Sequence, residues 1–194
     1  MTSTDEKRPG RKRSEDTRRS ILGAALELVS EGGYASLSIE GIAARAGASK
    51  QTVYRWWPSK ADVLLDAIAT KAELAITTDD TGSFAGDVRS FVTESIAVGA
   101  HDQVRRVLRI LMAQAQIDEE FAVRFREGFL DRRRIALKSI IDRARSHGDL
   151  DSALSPDTMC DIVFGTFWYQ ILVTDGDFDD DLADQLAFAV TGRP

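Results

Sequence analysis

Apolar residues recur every three or four positions along almost the whole of this chain, and strict alternation is nowhere sustained. The first stripe is Ile21, Ala25, Leu28 and Val29; it opens near Ser14, where Glu15 and Asp16 put negative charge in a first turn, and closes at Gly32 and Gly33. A short second helix is predicted from Ser38 to Ala46, stopped by Gly47, and a third follows Ser49 through Trp57. Ser59 can cap a fourth, with the stripe Val63, Leu64, Ala67, Ile68 and Leu74, ended by the polar cluster from Thr77 to Gly82. Further helical patterns run from Phe84 to Val98, Val104 to Gln116, Asp118 to His147, Pro156 to Thr174 and Asp179 to Thr191. Gly99 with Ala100, Gly148 with Asp149, Ser155 with Pro156, and Asp175-Gly176-Asp177 break them. The pattern predicts an all-α chain of about nine helices.

The second and third helices are short and joined through a glycine-containing turn, which is the layout of a helix-turn-helix. Behind the Ser49 cap, Lys50, Gln51, Thr52, Tyr54 and Arg55 can face outward, while Val53 and one or both of Trp56 and Trp57 face inward. Amide, hydroxyl and guanidinium groups on one short helix are the groups that bond base edges and phosphate oxygens. The net charge of −6 argues against such a role until its distribution is considered. Residues 1–60 carry 11 basic against 7 acidic side chains, a balance of +4, and residues 61–194 carry 14 against 24, a balance of −10. A basic reader on an acidic remainder docks on DNA through one end only. Residues 1–13, ending Lys7-Arg8-Pro9-Gly10-Arg11-Lys12-Arg13, lack apolar periodicity and read as a disordered basic arm, either lying along DNA or simply solvated.

At 194 residues and 43% apolar, the chain is long enough to bury a real core. No run approaches the roughly 18 to 20 apolar residues that span a bilayer, and the charged amino terminus has no signal-peptide core, so a soluble cytoplasmic protein is expected, with no membrane partner. The single cysteine, Cys160, lies in an apolar stretch and reads as a small buried hydrophobe. Catalysis has little to work with. His101 and His147 stand apart, no ligand spacing suggests a metal, and no glycine-rich loop follows a strand, so neither an enzyme nor a cofactor is expected. The acidic knot Asp175, Asp177, Asp179, Asp180 and Asp181 lacks the glycine and glutamate of a calcium loop and reads as a solvated turn.

From Ser14 to about Leu65 the sequence resembles the amino-terminal domain of the TetR family of bacterial transcription regulators. The likeness rests on Ile21, Ala24, Ala25 and Leu28, the Gly33-Tyr34 turn, Leu37-Ser38-Ile39, Ile42-Ala43, Ala46-Gly47-Ala48-Ser49, Thr52-Val53-Tyr54 and Ser59-Lys60-Ala61-Asp62-Val63-Leu64. It implies a division into the arm 1–13, a DNA-binding domain 14–60, and a helical effector-binding and dimerisation domain 61–194. It also implies that the third helix enters the major groove of double-stranded DNA. Ser49, Lys50, Gln51, Thr52 and Arg55 would then lie at or near base edges, with Tyr54 on phosphate and Ser38 and Lys60 adding a helix start and a cation. Trp56 stands where many members carry His or Tyr, and its single N–H leaves less to offer a phosphate; Trp57 takes a core position that is usually Phe.

One reader of this size contacts too few bases for useful specificity, so a homodimer on a palindromic operator is expected. Met159 to Val173 is apolar nearly all round, and with the last helix it would form the interface as the family does; the candidates are Ile162, Thr166, Tyr169, Val173, Leu182, Leu186 and Val190. The middle helices would hold a small-molecule effector that releases a repressor from DNA. Phe91, Leu108, Met112, Gln116, Phe125, Phe129 and Trp168 are the candidate lining, with Leu111, Phe121, Leu137, Gln114 and His101 also in reach. The run Arg132-Arg133-Arg134 reads as a solvated face pairing with Glu127 and Asp131, with an acidic effector site as the sharper alternative.

Overall fold

A computed structural model of the chain describes residues 9–150, 152–174, 178, 179 and 181–192, with side chains from residue 14 onward. Among them every regular element is helical. The helices are α1 (Pro9–Ser36), α2 (Ile39–Arg45), α3 (Lys50–Trp56), α4 (Lys60–Ala75), α5 (Phe84–Ala100), α6 (Asp102–Ala115), α7 (Glu119–Phe125), α8 (Asp131–His147), α9 (Pro156–Leu172) and α10 (Leu182–Thr191). A π-helical turn, Arg126–Leu130, joins α7 to α8 without a break, so the described residues form nine continuous helices.

Two compact units divide at Ala67 and Ile68, inside α4 rather than at its start. The reason is that the first two turns of α4 are bonded to the helices before it: Lys60 to the end of α1, and Asp66 to Arg18 of α1 and Trp57 after α3. The beginning of α1 also departs from expectation, since it starts at Pro9, not near Ser14. Proline suits a first helical position, because its missing N–H would find no partner there. The rest of the predicted arm, residues 1–8, lies outside the described residues.

In the first unit, α1 packs its Ile21, Ala25 and Val29 inward with Leu37, Ile42, Val53 and Leu64, all buried. Gly33 interrupts α1 at φ 73°, ψ 179°, a backbone geometry that side chains with a Cβ rarely adopt. Arg45 near the end of α2 reaches Glu31 and Glu27 on α1, at 2.9 and 3.2 Å. The second unit is built around α5, which packs against α8 on one side and α10 on the other. Phe121, Phe125 and Phe129 stack in series along α7 and the π turn, with ring centroids 6.1 and 5.9 Å apart. An extra residue in the turn rotates everything after it, so α8 meets α5 and α9 in a register that a uniform 3.6-residue repeat would not give.

The loop between α4 and α5 is held by one buried carboxylate. Asp87 accepts from the Thr81 backbone N–H and hydroxyl, both at 2.7 Å, and from the Arg143 guanidinium at 2.7 Å. Arg143 also donates to the Thr78 and Asp79 carbonyls. Burial alone pushes the Asp87 carboxyl up, but the Thr81 bonds and Arg143 outweigh it and hold the group below its ordinary value. A carboxyl with a depressed pKa stabilises the fold above its unfolded value, and that contribution is lost as the pH falls below about 4. Removing one partner of a buried pair strands the other. Asp87→Asn is therefore expected to cost about 3 kcal/mol at neutral pH, measured by urea unfolding, with the gap to the parent protein narrowing as the pH is lowered through the acid range.

Candidate nucleic-acid interface and cavity

Seven residues are too few for a helix to hold its own shape in water, so α3 exists by virtue of what flanks it. At its start the Ser49 hydroxyl accepts the Thr52 N–H at 3.1 Å and bonds the Thr52 hydroxyl at 2.9 Å. Gly47, at φ 64°, makes the turn from α2, where Ser38 caps the helix by accepting the Gly41 N–H at 3.1 Å. On the inner side Val53 is fully buried and Trp57 nearly so. The Trp57 indole N–H donates to Asp66 at 2.9 Å, and the same carboxylate pairs with Arg18. With its inner face fixed, α3 has one orientation left for the other side chains.

That outer face carries exposed Ser49, Lys50, Gln51, Tyr54 and Arg55, with Thr52 half-buried. Tyr54 is 52% exposed, a large aromatic side chain left in water and uncovered by its own chain. Trp56 is half-buried edge-on to Trp57, with the Arg55 guanidinium over its face at 5.4 Å. The Lys50 ammonium pairs with Glu40 of α2; the bond to Lys50 holds the Glu40 carboxyl below its ordinary value, and Lys50 is raised in return.

Lys60 does not face the way the sequence suggests. Its ammonium donates to the Tyr34 and Leu37 carbonyls, each at 2.8 Å, and sits 4.2 Å from the Tyr34 ring centre. Bonded to carbonyls at the end of α1 and just beyond it, Lys60 braces the fold at the base of the reader. Ser38 and Ser49 likewise have their hydroxyls in caps.

Within the second unit lies a cavity of about 400 Å³, inside the range of about 300–1,000 Å³ that small ligands occupy. Leu108, Met112, Phe129 and Trp168 line it, as the sequence suggested. Phe91 and Phe125 do not: both are fully buried in the packing beneath the wall, Phe125 edge-on to Trp168. Gln116 lies outside, exposed at the end of α6 with its amide near the Met112 sulfur. Ile68 and Ala72 of α4, Val104 and Phe164, which the sequence did not assign to a cavity, complete the wall together with Arg133.

The three successive arginines of α8 diverge because each residue turns about 100° around a helix. Arg132 pairs with Glu73, Arg134 with Asp157 and Asp161, and Arg133 borders the cavity. None pairs with Glu127 or Asp131, the partners expected from spacing. Leu182, Leu186 and Val190 of α10 are buried within their own chain, and the first two line the cavity. An α10 with apolar residues on both sides leaves periodicity unable to say which side its own α5 covers. On α9 and α10 the large apolar residues left outside are Tyr169, Leu172 and Val173 at the end of α9 and Phe188 of α10, 42–63% exposed, with Ile162 and Thr166 half-buried.

Cys160 is buried, which pushes its thiol up and leaves it unreactive. No group of three His, Cys, Asp or Glu among the described residues is arranged to hold a metal ion, and Asp175, Asp177 and Asp180 of the acidic knot fall outside those residues. No helix among them is long and apolar enough to cross a membrane.

Two known domain families match the chain in succession, the first running past Ala67 to near the end of α4. Residues 21–74 match the family described as bacterial regulatory proteins, tetR family, and residues 78–190 match the tetracyclin repressor-like C-terminal domain. An uncharacterized HTH-type transcriptional regulator of Bacillus subtilis strain 168, YdeS, is 32% identical over 171 residues, covering 88% of this chain and 86% of its own. Among solved structures, the TetR family transcription regulator SCO0332 superposes with a TM-score of 0.78 at 27% identity, covering 91% of this chain and 97% of its own. FadR of Bacillus subtilis, solved with stearoyl-CoA, superposes at 0.72 and 19% identity over 91% and 99%, a likeness of fold. With both of its units matched to the two domains of that family, the chain belongs to the TetR family of DNA-binding transcriptional regulators.

Proposed function

We propose that the chain is a homodimeric repressor that binds a palindromic operator through α3 and is released from it by a small molecule held in the cavity of the second unit. The observation that carries this reading is the outer face of α3, where Lys50, Gln51, Tyr54 and Arg55 stand exposed on a helix whose other side is locked. Arg55 suits guanine and Gln51 adenine, the pairs that a fork of two donors or an amide makes with those base edges, while Tyr54 and Lys50 suit phosphate. Thr52 is half-buried, and its hydroxyl already meets Ser49.

Dimerisation follows from the need for a second reader and is supported by the apolar patch of Tyr169, Leu172, Val173 and Phe188, flanked by Ile162 and Thr166. Effector control is supported by a cavity whose wall includes Ile68 and Ala72, from the same helix that begins beside the reader at Lys60. A ligand pressing on that half of α4 biases the helix between two positions. Only the difference in its affinity for those positions releases DNA, commonly about 1–3 kcal/mol of coupling. FadR, a neighbour in fold, is a regulator solved with stearoyl-CoA, which favours a regulatory ligand over a merely structural void.

Selection of bound sequences from random duplex DNA, followed by titration of the winner in increasing salt, tests the reading directly. An inverted repeat with half-sites about one helical turn apart and affinity falling steeply with salt is the expected result. No enrichment at low salt, from protein stripped of bound small molecules, would favour a helical protein-interaction module that has lost DNA binding. On the selected operator, Arg55→Ala is expected to weaken binding roughly ten- to a hundredfold and to relax the preference at one base pair of each half-site. Tyr54→Phe should weaken all sequences alike. Equal operator affinity in both variants and the parent, by gel shift, counts against α3 as the reader. Glu40→Gln removes a carboxylate that both repels phosphate and holds Lys50, so operator affinity is expected to rise by roughly two- to fivefold at low salt, with the gain shrinking as salt is added.

A further inference from the structure

Arg133 is the one charged group of the cavity wall that the described protein does not neutralise by a direct ion pair. Three charged residues border the space: Arg133, Arg134 and Asp161. Arg134 and Asp161 cancel each other at 2.6 Å, and Arg134 also takes Asp157. The acid that acts on Arg133 through space is Glu94, but its carboxylate oxygens accept from the backbone N–H and hydroxyl of Thr77, not from a guanidinium. Of its five N–H donors, Arg133 places one on a protein acceptor among the described residues, the Ser95 hydroxyl at 2.7 Å. Ser95 in turn donates to the Phe91 carbonyl, and the guanidinium lies 4.7 Å from the centre of the Phe91 ring.

These contacts fix where the guanidinium sits without satisfying its charge. A cation on a wall otherwise made largely of Leu, Val, Ile, Met and Phe is costly to desolvate, and burial pushes its pKa down to about 10, still protonated at neutral pH. A planar fork with open donors beside an apolar space is complementary to a carboxylate attached to an apolar body, which would bond in bidentate fashion and bring the missing negative charge. We propose that this cavity takes an apolar carboxylic acid, as its anion, with the carboxylate on Arg133 and the apolar body against Leu108, Met112, Phe164 and Trp168.

The proposal rests on the reading of the cavity as the effector site, and the test separates the two. Decanoic acid, decan-1-ol and methyl decanoate share one chain and differ in whether the head is an anion. Their binding to the full-length protein is measured by calorimetry and by displacement of the neutral dye Nile red. The acid is expected to bind roughly tenfold or more tighter than the alcohol or the ester. In Arg133→Met that preference should vanish through loss of acid binding, with the alcohol unaffected, and in Arg133→Lys it should be partly retained. Retained binding of the alcohol and the dye also reports that the variants keep their fold.

If acid, alcohol and ester bind alike to the parent protein, or Arg133→Met leaves the preference intact, Arg133 only braces α5 and the proposal fails. If the dye binds and no acid displaces it, the cavity takes apolar molecules but not carboxylates, so the proposal fails and the effector reading stands. If neither the dye nor any of the three probes binds, both fail together.

Discussion

The shared carboxylate of Asp66 is the point on which the reader depends. Arg18 of α1 and the indole of Trp57 both bond it, so one side chain of α4 ties the start of the unit to the end of α3. α3 has seven residues and cannot offset the cost of its own nucleation, so without this tie and the burial of Val53 the outward display of Lys50, Gln51, Tyr54 and Arg55 would have no fixed direction. Lys60 complements Asp66 from the start of the same helix, bonded to carbonyls at the end of α1 and just beyond it. Both anchors come from the first two turns of α4, which is why the compact unit ends at Ala67 and not before the helix begins.

The same helix supplies wall residues to the cavity from Ile68 onward, so a single element carries the anchors of α3 in one half and part of the cavity wall in the other. Such an arrangement couples the two only if the helix has alternative positions that differ in both sets of contacts. The π turn at Arg126–Leu130 contributes to the cavity. By inserting a residue into one turn it brings Phe129 and Leu130 to the wall and sets the phase of α8, so that Arg132, Arg133 and Arg134 meet three different surroundings. Two of them are neutralised by acids on α4 and α9, and one is left at the cavity.

Charge is divided along the chain as well as within the cavity. Residues 1–60 carry a balance of +4 and the remainder −10, so the remainder taken alone repels a polyanion and the first sixty residues do not. Within those first residues Lys50 is held by Glu40, so its ammonium already has an anionic partner.

Most of the helices and the reader were legible from the sequence because local signals state them: Ser38 and Ser49 before apolar runs, Gly47 at the turn, Val53 and Trp57 at the spacing of an inner face. The resemblance carried by Ile21 through Leu64 named the family on the same residues. Periodicity reports that a face is apolar but not what covers it, and so Leu182, Leu186 and Val190 looked equally fit for a second copy and for α5, which in fact buries them. Direction is lost in the same way for long cations. Lys60 and Arg133 each have flexible stems, and the groups that claim them lie 26 and 38 residues away in the chain, at the Tyr34 carbonyl and the Ser95 hydroxyl. The sequence by itself determined the helices, the outward and inward faces of α3 and the family, because those follow from neighbours within a turn or two; only the tertiary structure decided the cavity, its unbalanced arginine and the apolar residues left outside on α9 and α10, because those depend on which distant surfaces meet.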